Sequence, residues 1–115
     1  MIRKAKFELF LPLKFNARKE KNRKPIPKKL FKDVEKSLYR KFDGFTMAGF
    51  PVIGSWLYES RNRKKRKMND TSMRYEVWTK DVNGGRAYMK KLQQRLINSF
   101  KQKEIAIIES TIDSI

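Results

Sequence analysis

Phe7-Glu8-Leu9-Phe10-Leu11-Pro12-Leu13 alternates from end to end. Phe7, Leu9, Leu11 and Leu13 share one parity, and Glu8, Phe10 and Pro12 the other. A period of two predicts a β-strand with one apolar face. Pro12 has no N–H to give a ladder, so the strand should end or bulge there. Met73-Arg74-Tyr75-Glu76-Val77-Trp78 repeats the pattern, with Met73, Tyr75 and Val77 opposed to Arg74, Glu76 and Trp78. Two strands patterned alike need a layer against their apolar sides, and the segments between them can supply it.

Leu30, Phe31, Val34, Leu38 and Phe42 fall at helical spacing, which predicts a helix over about 27–42. Pro27 suits its first turn, and Gly44 is placed to end it in a left-handed cap. Tyr88, Met89, Leu92, Leu96, Ile97 and Phe100 predict a second helix, with Asp81 or Asn83 as N-cap. Residues 45–59 read as a strand interrupted near Gly49, Pro51 and Gly54. Glu104 to Ile108 reads as a last short strand, followed by an acidic tail over 109–115. The order strand, helix, strand, strand, helix, strand predicts a single α+β domain spanning 1–115. It should be a ferredoxin-like βαββαβ sandwich: a four-stranded antiparallel sheet in the order 4-1-3-2, with two helices on one face.

The charge is lopsided. The 115 residues hold 29 Lys and Arg against 12 Asp and Glu, a formal +17. A pI near 10.3 points to a negative partner, nucleic acid first and an anionic membrane second. Eight Phe, four Tyr and two Trp supply enough apolar mass that this charge does not imply disorder. The absence of cysteine excludes disulfides and thiolate metal sites, and the absence of histidine removes the commonest general base and metal ligand. No metal and no cofactor is expected. No apolar run reaches the roughly 18 residues that cross a bilayer. The apolar piece behind the basic Met1-Ile-Arg-Lys-Ala-Lys6 is too short for a signal peptide, so a cytoplasmic protein is expected, or a nuclear or organellar one in a eukaryote.

Arg61-Asn62-Arg63-Lys64-Lys65-Arg66-Lys67 has six basic residues in seven and no acid. Such crowding resists self-pairing, which predicts a solvated loop over 60–72 that waits for a polyanion. Residues 14–29 hold eight Lys or Arg against Glu20, with Asn16, Asn22, Pro25 and Pro27 marking a second loop. The expected phosphate clamps are Arg61, Arg63, Lys64, Lys65, Arg66 and Lys67, and Arg18, Lys19, Lys21, Arg23 and Lys24. Lys90, Lys91 and Arg95 lie off the apolar stripe of the second helix as a third basic patch. The plainer reading of any such run is a solubilising surface.

In the expected fold the open sheet face shows Glu8, Phe10, Arg74, Glu76 and Trp78, with Trp56 or Tyr58 nearby. Aromatics flanked by cations make a stacking platform, and each stacked base contributes about 1–3 kcal/mol. Phe10 and Trp78 are the candidate stackers, with Arg74 beside them. In topology the arrangement resembles an RNA-recognition motif. Leu9-Phe10-Leu11 fits the first three places of that family's shorter motif, while Ser72 to Trp78 lacks the glycine of its longer one. The resemblance covers the topology and one tripeptide, and serves as analogy. A homodimer or a partner protein covering the open face would explain the same aromatics.

Glu8 and Glu76, on adjacent central strands and one face, could hold a divalent metal for phosphodiester cleavage. The alternative is that each carboxylate pairs with Arg74 or a nearby Lys. Gly84-Gly85 could bring backbone N–H groups to a phosphate beside Arg86, or be a plain turn and cap. The expected function is nucleic-acid binding, RNA favoured over DNA, as an RNA-binding or ribonucleoprotein-associated small subunit. A small metal-dependent nuclease and a protein-interaction adaptor or homodimer are the alternatives, and binding is expected ahead of catalysis. No membrane role is expected, because both helices need their apolar residues for the core.

Overall fold

A computed structural model describes residues 2–15, 22–47, 52–59 and 65–114, with the backbone alone for 52–59, 65–70 and 114. The first strand, β1, runs from Ile2 to Pro12. Helix α1 (Lys28–Phe42) follows, then β2 (Thr46–Met47), β3 (Val52–Glu59), β4 (Lys65–Thr79), helix α2 (Val82–Ser99) and β5 (Ala106–Ser114). The sheet order is β2-β4-β1-β5, with β3 also paired to β4, and every pairing is antiparallel. Taken as one interrupted strand, β2 and β3 complete the expected order. The architecture is an α+β ferredoxin-like sandwich.

Alternation along β1 and β4 decides which face is covered. Ala5, Phe7, Leu9 and Leu11 of β1 and Tyr75 and Val77 of β4 are buried. Val34 and Leu38 of α1 and Met89, Leu92 and Leu96 of α2 meet them from above. Burial of this apolar surface is the main stabilising term. Tyr75 carries one polar atom into this core, and its hydroxyl donates to Glu35 Oε2 of α1 at 2.9 Å. Among the described residues, no helix is long and apolar enough to cross a membrane.

Both helix ends are fixed by side chains or backbone that the sequence supplies. Asp81 caps α2, its Oδ1 accepting from the Gly84 N–H at 3.0 Å. The Gly85 N–H bonds the Asp81 carbonyl at 2.9 Å, so neither glycine offers a free N–H to a phosphate. Gly85 instead permits close packing: a Cβ there would lie 2.8 Å from Thr79 Cγ2 and 2.9 Å from Phe7 Cε2. At the end of α1 the left-handed residue is Asp43, with φ 64° and its N–H on the Tyr39 carbonyl, and not Gly44. A short polar side chain tolerates this conformation better than most.

Two segments differ from the sequence expectation. Residues 65–72, read as the second half of a basic loop, belong to β4 and pair with β3 from Glu59↔Lys65 to Val52↔Ser72. The partnership of β1 with β4 ends at Pro12↔Ser72, so this hairpin runs past the β1 ladder as a two-stranded ribbon. Backbone pairing in such a ribbon needs no apolar alternation, which is why a polar, cationic strand read as loop. Residues 109–114, read as an acidic tail, are the second half of β5 and pair with β1 as far as Ile2↔Ser114. As an edge strand β5 carries polar residues at little cost. Two of its acids are engaged, Glu109 with Arg86 and Asp113 with Arg3.

Candidate nucleic-acid interface

The open sheet face is built around a compensated quartet. Glu8 and Glu76 are direct cross-strand partners, and two carboxylates so placed repel. Lys6 Nζ lies 3.4 Å from Glu8 Oε1 and 3.6 Å from Glu76 Oε1, and Arg74 Nη1 lies 3.5 Å from Glu8 Oε2. Two cations thus balance two anions, and both carboxylates have cationic neighbours. Among the described residues no group of three or more potential His, Cys, Asp or Glu ligands could hold a metal.

The aromatics stand on either side of this quartet. Trp78 is opposite Lys6 and Phe10 is opposite Arg74, which separates the two rings by four residues along the strands, or about 13 Å. Trp78 is 43% exposed, with Lys6 Nζ 5.8 Å from its ring centroid. Phe10 is half-buried at the rim of a cleft of about 600 Å³ shared with Pro12, Ser72, Ile97 and Gln102. The partner of Glu8 on β5 is Ile108, which is 49% exposed.

The basic clamps expected from sequence fall into three groups. Arg18, Lys19, Lys21, Arg61, Arg63 and Lys64 lie outside the described residues. Lys65, Arg66 and Lys67 belong to β4, opposite Glu59, Tyr58 and Leu57, and their side chains lie outside the described set. Arg23 and Lys24 differ from one another. Lys24 is exposed, as a phosphate contact requires. Arg23 is only 6% exposed, and its Nε donates to the Phe15 carbonyl at 3.1 Å and its Nη2 to the Lys14 carbonyl at 3.5 Å. The guanidinium therefore ties its own loop together, beside a Lys14↔Pro25 bridge. Arg23→Ala should lower stability by about 2 kcal/mol, since it removes two charge-assisted bonds and takes the donor from the Phe15 carbonyl. Lys24→Ala should change it by less than about 0.5 kcal/mol. Equal unfolding midpoints for the two variants would contradict this assignment.

The helical layer carries a cationic surface that no short motif advertises. Helix α1 has six Lys and Arg against Asp33 and Glu35, and α2 has four against none, a formal +8 over the two. The outward residues Lys29, Lys32, Lys36, Arg40 and Lys91 are exposed. Four ion pairs among the described residues lie outside the helices, on Arg3, Lys6 and Arg74, and a fifth takes Arg86 at the start of α2. Arg86 chelates Glu109 with two bonds of 2.9 Å. Bonding to that guanidinium holds the Glu109 carboxyl below its ordinary range, and the guanidinium is raised in turn. The helical spacing of the lysines was readable; that Lys29, Lys32, Lys36 and Lys91 form no ion pair among the described residues depends on the tertiary fold.

No family model matches the chain, and neither curated proteins nor solved structures provide a match.

Proposed function

We propose that the protein binds nucleic acid, RNA in preference to DNA, as a small RNA-binding or ribonucleoprotein-associated subunit in the cytoplasm. The observation that supports this reading is the exposed cationic surface of the helical layer, where Lys29, Lys32, Lys36, Arg40 and Lys91 form no ion pair among the described residues. Concentrated like charge destabilises a compact state by self-repulsion, and a bound phosphate backbone removes that penalty. Phosphate contacts then supply most of the affinity and little sequence preference. The basic segments 14–29 and 61–67 extend the same charge. Phe10 and Trp78 are the aromatics available for stacking.

The test is a salt titration of binding to labelled RNA by fluorescence anisotropy. A log–log slope of about −4 or steeper is expected if five or more phosphates are neutralised. An affinity that hardly changes between about 50 and about 200 mM salt would remove the reading.

A second reading, in which the open sheet face packs on a protein partner or a second copy, is favoured by Ile108 and Trp78, 49% and 43% exposed. It expects Ile108→Lys to dissociate a complex that sediments above the monomer mass.

A further inference from the structure

We infer that the helical layer is the nucleic-acid-binding surface, and that its ligand is the phosphate backbone of a duplex; this rests on the nucleic-acid reading above. The two helices run antiparallel across a groove of about 230 Å³ floored by Leu30, Val34, Leu92 and Leu96. Their pairing is fixed at one end by Tyr88, whose hydroxyl donates to the Ser37 carbonyl at 3.3 Å, and whose ring packs on Phe42. Nearer the middle, Arg95 Nη2 reaches Ser37 Oγ at 3.5 Å.

From this frame α1 directs Lys29, Lys36 and Arg40 outward, and α2 directs Lys91, with Arg95 at the groove itself. The α1 row from Lys29 to Arg40 is about 17 Å long at the helical rise per residue. Lys91 and Arg95 stand across the groove from it, at roughly the 8–10 Å between packed helix axes. Lys29, Lys36 and Arg40 of α1 and Lys91 and Arg95 of α2 thus form one broad cationic surface, with the Asp33 carboxylate at the groove between them, and a surface of that breadth can meet several phosphates of one backbone at once. Single strands are recognised differently, by aromatics interleaved with the cations. On this layer Tyr39 is the one large hydrophobic exposed among the described residues, and its ring is already against Phe45, 4.9 Å between centroids. A surface of several cations with a single exposed ring suits a backbone whose bases are stacked away from it.

The sheet face has the opposite character. Its central quartet is compensated, and a strand laid from Phe10 to Trp78 would pass its phosphates over Glu8 and Glu76. Lys6 and Arg74, the cations closest to that path, are held by those same carboxylates. The exposed cations Lys29, Lys36, Arg40 and Lys91 are therefore on the opposite side of the sheet from Trp78.

The experiment measures anisotropy of one sequence as duplex RNA, duplex DNA and single-stranded RNA. The proteins are the wild type, a Lys29→Gln/Lys36→Gln/Arg40→Gln/Lys91→Gln variant and Trp78→Ala. The four positions are exposed and without ion pairs among the described residues, so circular dichroism should show the variant folded. A duplex should bind at least tenfold tighter than the single strand. The fourfold variant should lose at least tenfold in duplex affinity, with the log–log salt slope shallower by about three, while Trp78→Ala binds as wild type does. Tightest binding to the single strand, or duplex binding unchanged in the fourfold variant, overturns the inference and leaves the nucleic-acid reading standing. Failure of all three ligands to bind at low salt overturns both.

Discussion

Phe7→Ala should cost about 3–5 kcal/mol of folding stability, the range for removing a buried aromatic ring. Phe7 is 1% exposed at the centre of β1. Its ring meets Phe42 of α1 at 6.5 Å between centroids and lies under Gly85 at the start of α2. It therefore joins both helices to the sheet, and neither can close the cavity without leaving the other. Domains of this size have only about 5–15 kcal/mol in total, so the variant should unfold at a much lower urea concentration with the slope unchanged. Phe10, one strand face away and half-buried, is the control: Phe10→Ala should cost about 1 kcal/mol. Similar losses at the two positions would mean that the covered face has been assigned wrongly.

Alkaline pH should unfold the protein through Tyr75. Burial first, and then the hydrogen bond and charge of Glu35, push its hydroxyl well above the ordinary tyrosine range. The sign follows from linkage. Below the unfolded-state value of about 10 both states hold the proton and the full stability is present. Above it the unfolded chain releases the proton and the folded chain keeps it. Stability then falls by about 1.4 kcal/mol per pH unit, and continues to fall until the folded hydroxyl ionises. Tyr75→Phe removes this dependence. It should lose about 1 kcal/mol at neutral pH, because Glu35 loses its donor, and gain on the wild type as the pH rises past 10. Parallel pH profiles for the two proteins from neutrality to pH 12 would show that another group governs alkaline unfolding.

The layered fold was legible because its two central strands alternate cleanly and its helices show single apolar stripes. Phe7, Leu9, Leu11, Tyr75 and Val77 are buried where parity puts them. Legibility failed where the backbone, and not side-chain patterning, holds a strand in place. Lys65 to Ser72 pair with β3 through main-chain bonds, and their run of charge masked this. Glu109 to Asp113 form an edge whose exposed side tolerates acids. Arg23 could not be told from Lys24 in sequence, since only folding brings the carbonyls of Lys14 and Phe15 to its guanidinium. Glu8 and Glu76 were placed on one face by parity, but the Lys6 and Arg74 geometry that neutralises them needed the register.

The position of β5 has a consequence for how the molecule is made. Its partner is the first strand, with Ile2 opposite Ser114, so the ladder that completes one side of the sheet waits for residues at the far end of the sequence. Contacts of such separation slow folding, because the chain must close a long loop before they form. On the ribosome β1, both helices and β4 emerge before β5, leaving one side of β1 without its neighbour for several seconds at ordinary synthesis rates. An apolar strand with a free edge is a template for pairing with other nascent chains. Arg3, Lys4 and Lys6, in the half of β1 that β5 covers last, place like charges along that edge and repel a second copy until the proper strand arrives.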